Sequence, residues 1–327
     1  MIVILSSLNG RDRLVQMLDA LLRVRIPPGT RLHVVDNGSE DGTPELLGSF
    51  LDRLPLVIHR QPLRGKNRSV NFVLDAVSAS LEPSELVVLT DDDILPDPAW
   101  LEELEASARA HPDRDVFAGR ILAQWPGSDI SHLDPVRDHF GILFSLTSGT
   151  EGPVKCQLAW GPNMAVRAHV FRSGVRFDPR FGPDGSEGYP MGSETELMER
   201  LDAAGHRAWF AERACVRHMI RPSQLGAQSV IKRAFRHGYG VGWRRQRQAG
   251  APGMVICLLK AMKGACAARL RRALAPSADP LRQDFEEAWA LGLARGCLYQ
   301  VRRARAVTQF GEGSCERRAA VRTPVKD

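Results

Sequence analysis

Met1–Leu5 is an unbroken apolar run ending in Ser6-Ser7-Leu8-Asn9-Gly10, after which Leu14, Met17, Leu18, Leu21 and Leu22 recur at three- and four-residue steps. The change from a continuous run to helical spacing predicts strand, loop and helix. The pattern then repeats. Leu32–Val35 runs into Asp36-Asn37-Gly38-Ser39, and Thr43-Pro44-Glu45 offers a cap, a first-turn proline and a first-turn acid for a second helix. Leu56–His59 reads as a third strand, Ser69–Ser78 as a third helix, and Glu85–Thr90 as a fourth strand running into Asp91-Asp92-Asp93. Four alternations predict an α/β fold with a mostly parallel sheet flanked by helices, whose ligand sites lie at the carboxyl ends of the strands. The polar clusters Ser7/Asn9, Asp36/Asn37 and the three aspartates fall there.

Beyond Trp100 a helix is expected through about Ala108, followed by a glycine- and proline-rich stretch. Ser193–Ala204 reads as a later helix, with Ser193 and Glu196 as an S-x-x-E capping box and Gly205 as its stop. From about Gln224 the chain turns basic and helical, interrupted at Pro276–Pro280. The expected organisation is an α/β domain over 1–245, a basic helical region over 246–310 and a frayed tail over 311–327.

At 327 residues, 43% hydrophobic and 25% charged, the composition excludes a disordered or collagenous chain. The net charge of +6 conceals an asymmetry. From Met219 onward there are 21 Lys/Arg against 7 Asp/Glu, an excess of +14 that leaves residues 1–218 at −8. Six scattered cysteines without a C-x-x-C pair argue against a zinc ribbon or disulfide framework. The first residues lack the basic segment and long apolar run of a secretory signal, so a cytoplasmic location is expected. The most apolar stretch, Met254–Leu259, is stopped by Lys260 and Lys263, too short to span a membrane.

Three adjacent carboxylates repel one another unless a cation compensates, so Asp91–Asp93 is read either as a site for Mg²⁺ or Mn²⁺ or as a solvated acidic turn. Asp36 is read either as a partner for a nucleotide base or ribose or as an Asx turn. No G-x-G-x-x-G follows the first strand, and Arg64-Gly65-Lys66-Asn67 lacks the rest of a P-loop.

The series VILSSLNGRDRL, VVDNGSEDGT, LRGKNRSVNFVL, VVLTDDDILPDPAWL, WGPNMAVRAHVF, GSETELMERLDAAGHRAWF and VRHMIRP resembles, in order and spacing, the family-2 glycosyltransferases over roughly residues 1–245. The resemblance implies a GT-A-type fold and inverting transfer of a sugar from a nucleotide-diphospho-sugar. It implies that Ser7 and Asn9 contact the nucleotide, that Asp36 holds the base, and that Gly65 to Asn71, including Lys66 and Arg68, wrap the donor. Asp91 and Asp93 match the metal motif, with Asp92 between them toward the donor, and His218 completes the metal site. Glu194 stands at the catalytic base, with Glu196 as its rival, and Trp160 to Asn163 line the cleft. Two positions depart from the family pattern: Gly192-Ser193-Glu194 replaces G-E-D, and Val70 replaces an arginine.

The leaving diphosphate would be stabilised by the metal together with Arg233 or Arg236. In Met254–Leu274 apolar residues fall near one face with Lys260, Lys263 and Arg271 beside them. That pattern suits either a helix lying on an anionic membrane surface or one packed on the catalytic domain with a solvated basic face. Aromatic residues are too sparse among these arginines for a nucleic-acid arm. The expected activity is therefore metal-dependent transfer to a glycan or glycolipid acceptor from the inner face of the membrane. The competing readings are a nucleotidyltransferase of similar fold and a catalytically silent sugar-binding protein.

Overall fold

The computed structural model describes residues 1–127, 129–248, 251–274 and 279–310, so the tail expected over 311–327 lies outside the described residues. The strands are β1 (Ile2–Ser7), β2 (Arg31–Asp36), β3 (Leu56–Arg60), β4 (Leu86–Leu89), β5 (Ile94–Pro96), β6 (Val116–Gln124), β7 (Gly152–Val154), β8 (Met164–Arg167) and β9 (Ala208–Met219). They form one sheet in the order β3-β2-β1-β4-β8-β6-β9-β5, with β7 also on β9. The first four are parallel to one another, β8 lies antiparallel between β4 and β6, and β9 runs parallel to β6. The helices are α1 (Arg11–Leu21), α2 (Thr43–Gly48), α3 (Lys66–Val77), α4 (Trp100–Ala110), α5 (Phe140–Phe144), α6 (Ala168–Arg172), α7 (Ser193–Ala203), α8 (Pro222–Leu225), α9 (Ala227–Gln248), α10 (Ala251–Leu274) and α11 (Pro280–Phe310).

The continuous apolar runs of β1 and β4 arise because both sheet faces are covered. Val3, Leu5 and Val88 point to a core shared with Leu14, Met17 and Leu18 of α1 and Trp100, Leu101 and Leu104 of α4. Ile2, Ile4 and Val87 point the other way, to Val73 and Leu74 of α3, Phe171 of α6 and Leu197 of α7. The sheet register shifts between Gly119 and Arg120, where β9 carries extra residues against β6. Asn163 plugs this bulge: its amide donates to the Arg120 and Ala214 carbonyls at 2.9 and 2.8 Å and accepts the Trp100 indole N–H at 2.8 Å.

Two expected caps form differently. Gly42 precedes α2 in the left-handed region, and the Thr43 hydroxyl donates to Asp41 instead of capping. Gly192, with φ of 97°, is likewise the residue before α7, so Ser193 is already helical and cannot close a capping box with Glu196.

Position 245 falls inside α9, and the helices that follow return to the body. Phe285 and Ala288 of α11 share a third core with Val230 and Ala234 of α9, Leu143 and Phe144 of α5, and Leu133. Gly238 and Gly242 on α9, with Gly292 and Gly296 on α11, let the two helices approach so closely that an added Cβ would lie 2.0–2.3 Å from the facing backbone.

At the parallel edge, His33 Nδ1 and His59 Nε2 lie 2.9 Å apart and share one proton. Burial, then the neighbouring His59 and Arg31, lowers the His33 pKa from the ordinary 6.5 to about 4. As pH falls from 6.5 to 4 the unfolded chain takes up a proton that folded His33 refuses, so stability declines across that window by about 3 kcal/mol. Urea denaturation of His33→Val as a function of pH should lose that slope.

Candidate active site

β4 ends at Leu89, and Thr90 anchors the exit of the strand by donating its hydroxyl to the Pro162 carbonyl at 2.8 Å. The next three residues splay, so each aspartate meets a different cation. Asp91 is bound by the Lys66 ammonium. Asp92 takes a bidentate pair from Arg13, at 3.1 Å from Nε and 2.8 Å from Nη2, and the Ser7 hydroxyl at 2.5 Å. Asp93 faces His218 Nε2 at 3.2 Å. Burial pushes the Asp91 and Asp92 carboxyls above the usual range, against the opposing pull of Lys66 and Arg13. Burial also works against Asp93, but the His218 imidazole, with more distant Arg221 and Arg13, carries it down to about 2.

His218 is fixed by its other nitrogen. Nδ1–H donates to the Phe144 carbonyl at 2.6 Å, which leaves Nε2 as the lone-pair nitrogen turned to Asp93. The His218 pKa is raised: burial lowers it, and Asp93 more than offsets that. Among the described residues no three His, Cys, Asp or Glu side chains form a ready-made metal cage.

Glu194, in the first turn of α7, completes the acidic wall. Its Oε1 accepts the Lys66 ammonium at 2.7 Å and its Oε2 accepts the Ser193 hydroxyl at 2.7 Å. Burial would raise this carboxyl, but Lys66 and the two hydrogen bonds hold it below the ordinary value, ionised at neutral pH. Gly161 is needed alongside, because a Cβ there would lie 2.5 Å from Glu194 Oε1 and 2.8 Å from Lys66 Nζ.

These groups line one cavity of about 500 Å³. More of its lining comes from the segment after β9, namely Arg221, Gln224, Arg233 and His237, with Tyr189 from the loop before α7. Arg233 is the unusual member. Its Nε is buried without a hydrogen-bond partner, and burial lowers its pKa. A buried N–H without a partner is costly unless an acceptor arrives.

Of the residues expected at the site, Ser7, Gly65, Lys66, Asp91, Asp92, Asp93, Trp160, Glu194, His218 and Arg233 line this cavity together. Asn9 instead accepts the Glu40 N–H at 2.9 Å and ties the first loop to the second. Asp36 is buried, and its Oδ1 accepts the Ser39 N–H at 2.9 Å in an Asx turn, while Oδ2 has no partner. Asn71 pairs with the Phe177 backbone at 2.8 and 3.0 Å, Asn163 fills the sheet bulge, and Arg68 is exposed. Glu196 turns to Arg200, held through two 3.0 Å contacts on the same helix, and Arg236 lies over the Tyr189 ring. None of these seven borders the cavity. Arg13 and Arg221 do, although neither stands among the residues that the motifs name. Arg13 sits one helical turn beyond Gly10, and Arg221 follows His218 by three residues within VRHMIRP.

The family described as "Glycosyl transferase family 2" matches residues 2–174, more than half of the chain. The chain belongs to this family. As a glycosyltransferase it has a distant curated relative, a glucosyl-dolichyl phosphate glucuronosyltransferase of Haloferax volcanii, 20% identical over 238 residues that cover 73% of this chain and 74% of that protein. Among solved structures, the mannosyltransferase PcManGT of Pyrobaculum calidifontis, in complex with GDP-Man and Mn²⁺, superposes with a TM-score of 0.57 at 17% identity, covering 91% and 87% of the two chains. S. aureus TarS residues 1–349 with UDP-GlcNAc gives 0.52 at 13% identity, covering 93% and 91%. The shared fold is GT-A.

In this glycosyltransferase Lys66 joins β4 to α7 through two carboxylates that would otherwise face each other in a buried setting. Lys66→Met should lower the unfolding free energy by about 3 kcal/mol, measured by urea denaturation.

Proposed function

We propose that the protein is a metal-dependent, inverting glycosyltransferase that moves a sugar from a nucleotide-diphospho-sugar to a hydroxyl of a lipid-linked or surface-glycan acceptor. The observation that carries this is the cavity itself, where four carboxylates share the lining with Arg233, whose Nε is buried without a hydrogen-bond partner. Such a site suits a ligand that brings both a cation and phosphate charge.

Asp93 and His218 would hold the ion, with Asp91 beside them. The donor set fits: a carboxylate oxygen and an imidazole nitrogen, oriented by Phe144 and facing each other at 3.2 Å, suit Mn²⁺ and leave positions for phosphate oxygens. When bound, the ion supplies charge neutralisation at the departing diphosphate. Arg233 and Arg221 take phosphate oxygens. Glu194, kept ionised by Lys66 and Ser193, accepts the proton of the acceptor hydroxyl as its oxygen forms the new bond to the anomeric carbon. The bond from that carbon to the phosphate oxygen breaks on the other side, and a single displacement inverts the centre.

The names of the relatives support the reading. Mn²⁺ and GDP-Man accompany one neighbour and UDP-GlcNAc another, and the Haloferax protein's name includes a dolichyl phosphate lipid. On this account the enzyme works at the cytosolic face of a membrane, where it meets a lipid-linked acceptor.

Glu194→Gln keeps the shape and both hydrogen-bonding positions but removes the base. Transfer should fall by about 10²–10⁴-fold, while calorimetric affinity for the nucleoside diphosphate is unchanged. Undiminished turnover would assign the base to another group.

A further inference from the structure

α10 has one face accounted for and one that is not. Ala261, Ala265 and Ala268 are only 6 or 7% exposed, and this small-residue face carries the contact with α11. On the opposite side Val255, Ile256, Leu259, Met262, Leu270 and Leu274 are each between 48 and 74% exposed. At 100° per residue they fall on one continuous stripe. A run of large apolar side chains turned to water at this density is uncommon on a soluble surface without a partner.

The charges around the stripe restrict what that partner is. Residues 251–274 hold five Lys/Arg and no Asp or Glu. Arg272 turns inward to Asp284 and Glu287 of α11, at 2.9 and 3.0 Å, and Arg269 reaches toward Glu287. Lys260, Lys263 and Arg271 are exposed and have no carboxylate partner among the described residues. Lys263 lies within the stripe, and Lys260 and Arg271 lie along its shoulder. A second copy of this helix would bring like charges together over the same apolar contact. A negatively charged lipid surface satisfies both halves, because acyl chains take the stripe and headgroup phosphates take the lysines. No helix among the described residues is long and apolar enough to cross a membrane, so the contact is one of lying on the surface.

We propose that the outer face of α10 is a membrane-docking surface that inserts Val255, Leu259, Met262 and Leu270 into the interface of an anionic bilayer. Because α10 packs on α11 and α11 packs on α9, which carries Arg233, docking would orient the catalytic cavity relative to the lipid surface.

The test is co-flotation of the full chain with vesicles of neutral phosphatidylcholine, and with vesicles containing about 30% anionic phosphatidylglycerol. No nucleotide sugar is present, so the result is independent of the transferase reading. Binding should require the anionic lipid and weaken as salt is raised. Lys260→Gln with Lys263→Gln should reduce partitioning about thirtyfold, two lysines contributing about fivefold each. Leu259→Asp with Met262→Asp should abolish it. All four side chains are exposed, and unchanged melting curves would show that the variants remain folded. Equal binding to neutral vesicles, absence of binding to anionic ones, or retention by either variant would overturn the proposal. A solution dimer dissociated by Leu259→Asp would also overturn it and give the face to a second copy.

Discussion

The structure depends on charge compensation where the parallel strands end. Asp91, Asp92, Asp93 and Glu194 converge on one cavity, and each is matched by a cation from a different part of the chain: Lys66 from α3, Arg13 from α1 and His218 from β9. Lys66 serves two of the four acids, so one ammonium ties the acidic turn to the start of α7. The arrangement is self-consistent without a ligand, yet it shares the cavity with a group that is not. The Arg233 Nε is buried without a hydrogen-bond partner, and on the proposed reading a metal-diphosphate would supply what each side lacks.

The helices after β9 therefore belong to the site as well as to the surface. His218 is oriented by the carbonyl of Phe144, and Phe144 is packed by the same core that holds α9 and α11. Gly240 of α9 lies against the Met191 backbone, where a Cβ would come within 1.8 Å of the carbonyl oxygen, just before the turn that presents Glu194. The excess of +14 in the last third of the chain thus divides. Arg221 and Arg233 face the cavity, Arg244 braces Glu199 at 3.1 Å, and the lysines of α10 face outward.

Much of this was legible in the amino-acid order. Continuous apolar runs at Met1–Leu5 and Glu85–Thr90 gave the central strands to within a residue or two, because strands covered on both faces leave no polar positions to blur the signal. Motif order names the aspartate triplet, Glu194 and His218, and the fold brings them to one cavity. Harder to see was the difference between a residue that binds a ligand and one that binds the backbone. Asn163 and Asn71 occupy motif positions but spend their amides on carbonyls exposed by a bulge and a loop, and Glu196 is claimed by Arg200 four residues on. Arg13 carries no local signal because its partner, Asp92, lies 79 residues away, and no short pattern marks such a pairing. The antiparallel strand β8 in the centre of the sheet was invisible for the same reason: sheet order is a property of long-range pairing.

On the proposed reading the acidic wall would hold a divalent ion only together with the ligand's phosphates, since Asp93 and His218 would offer two protein ligands and the remaining acids are already paired. Electron paramagnetic resonance of Mn²⁺ titrated with the protein, with and without nucleoside diphosphate, tests it most directly. The account predicts that free Mn²⁺ signal persists with protein alone and disappears when the diphosphate is added. Equal uptake of Mn²⁺ in the absence of the diphosphate, or no uptake in its presence, would contradict it.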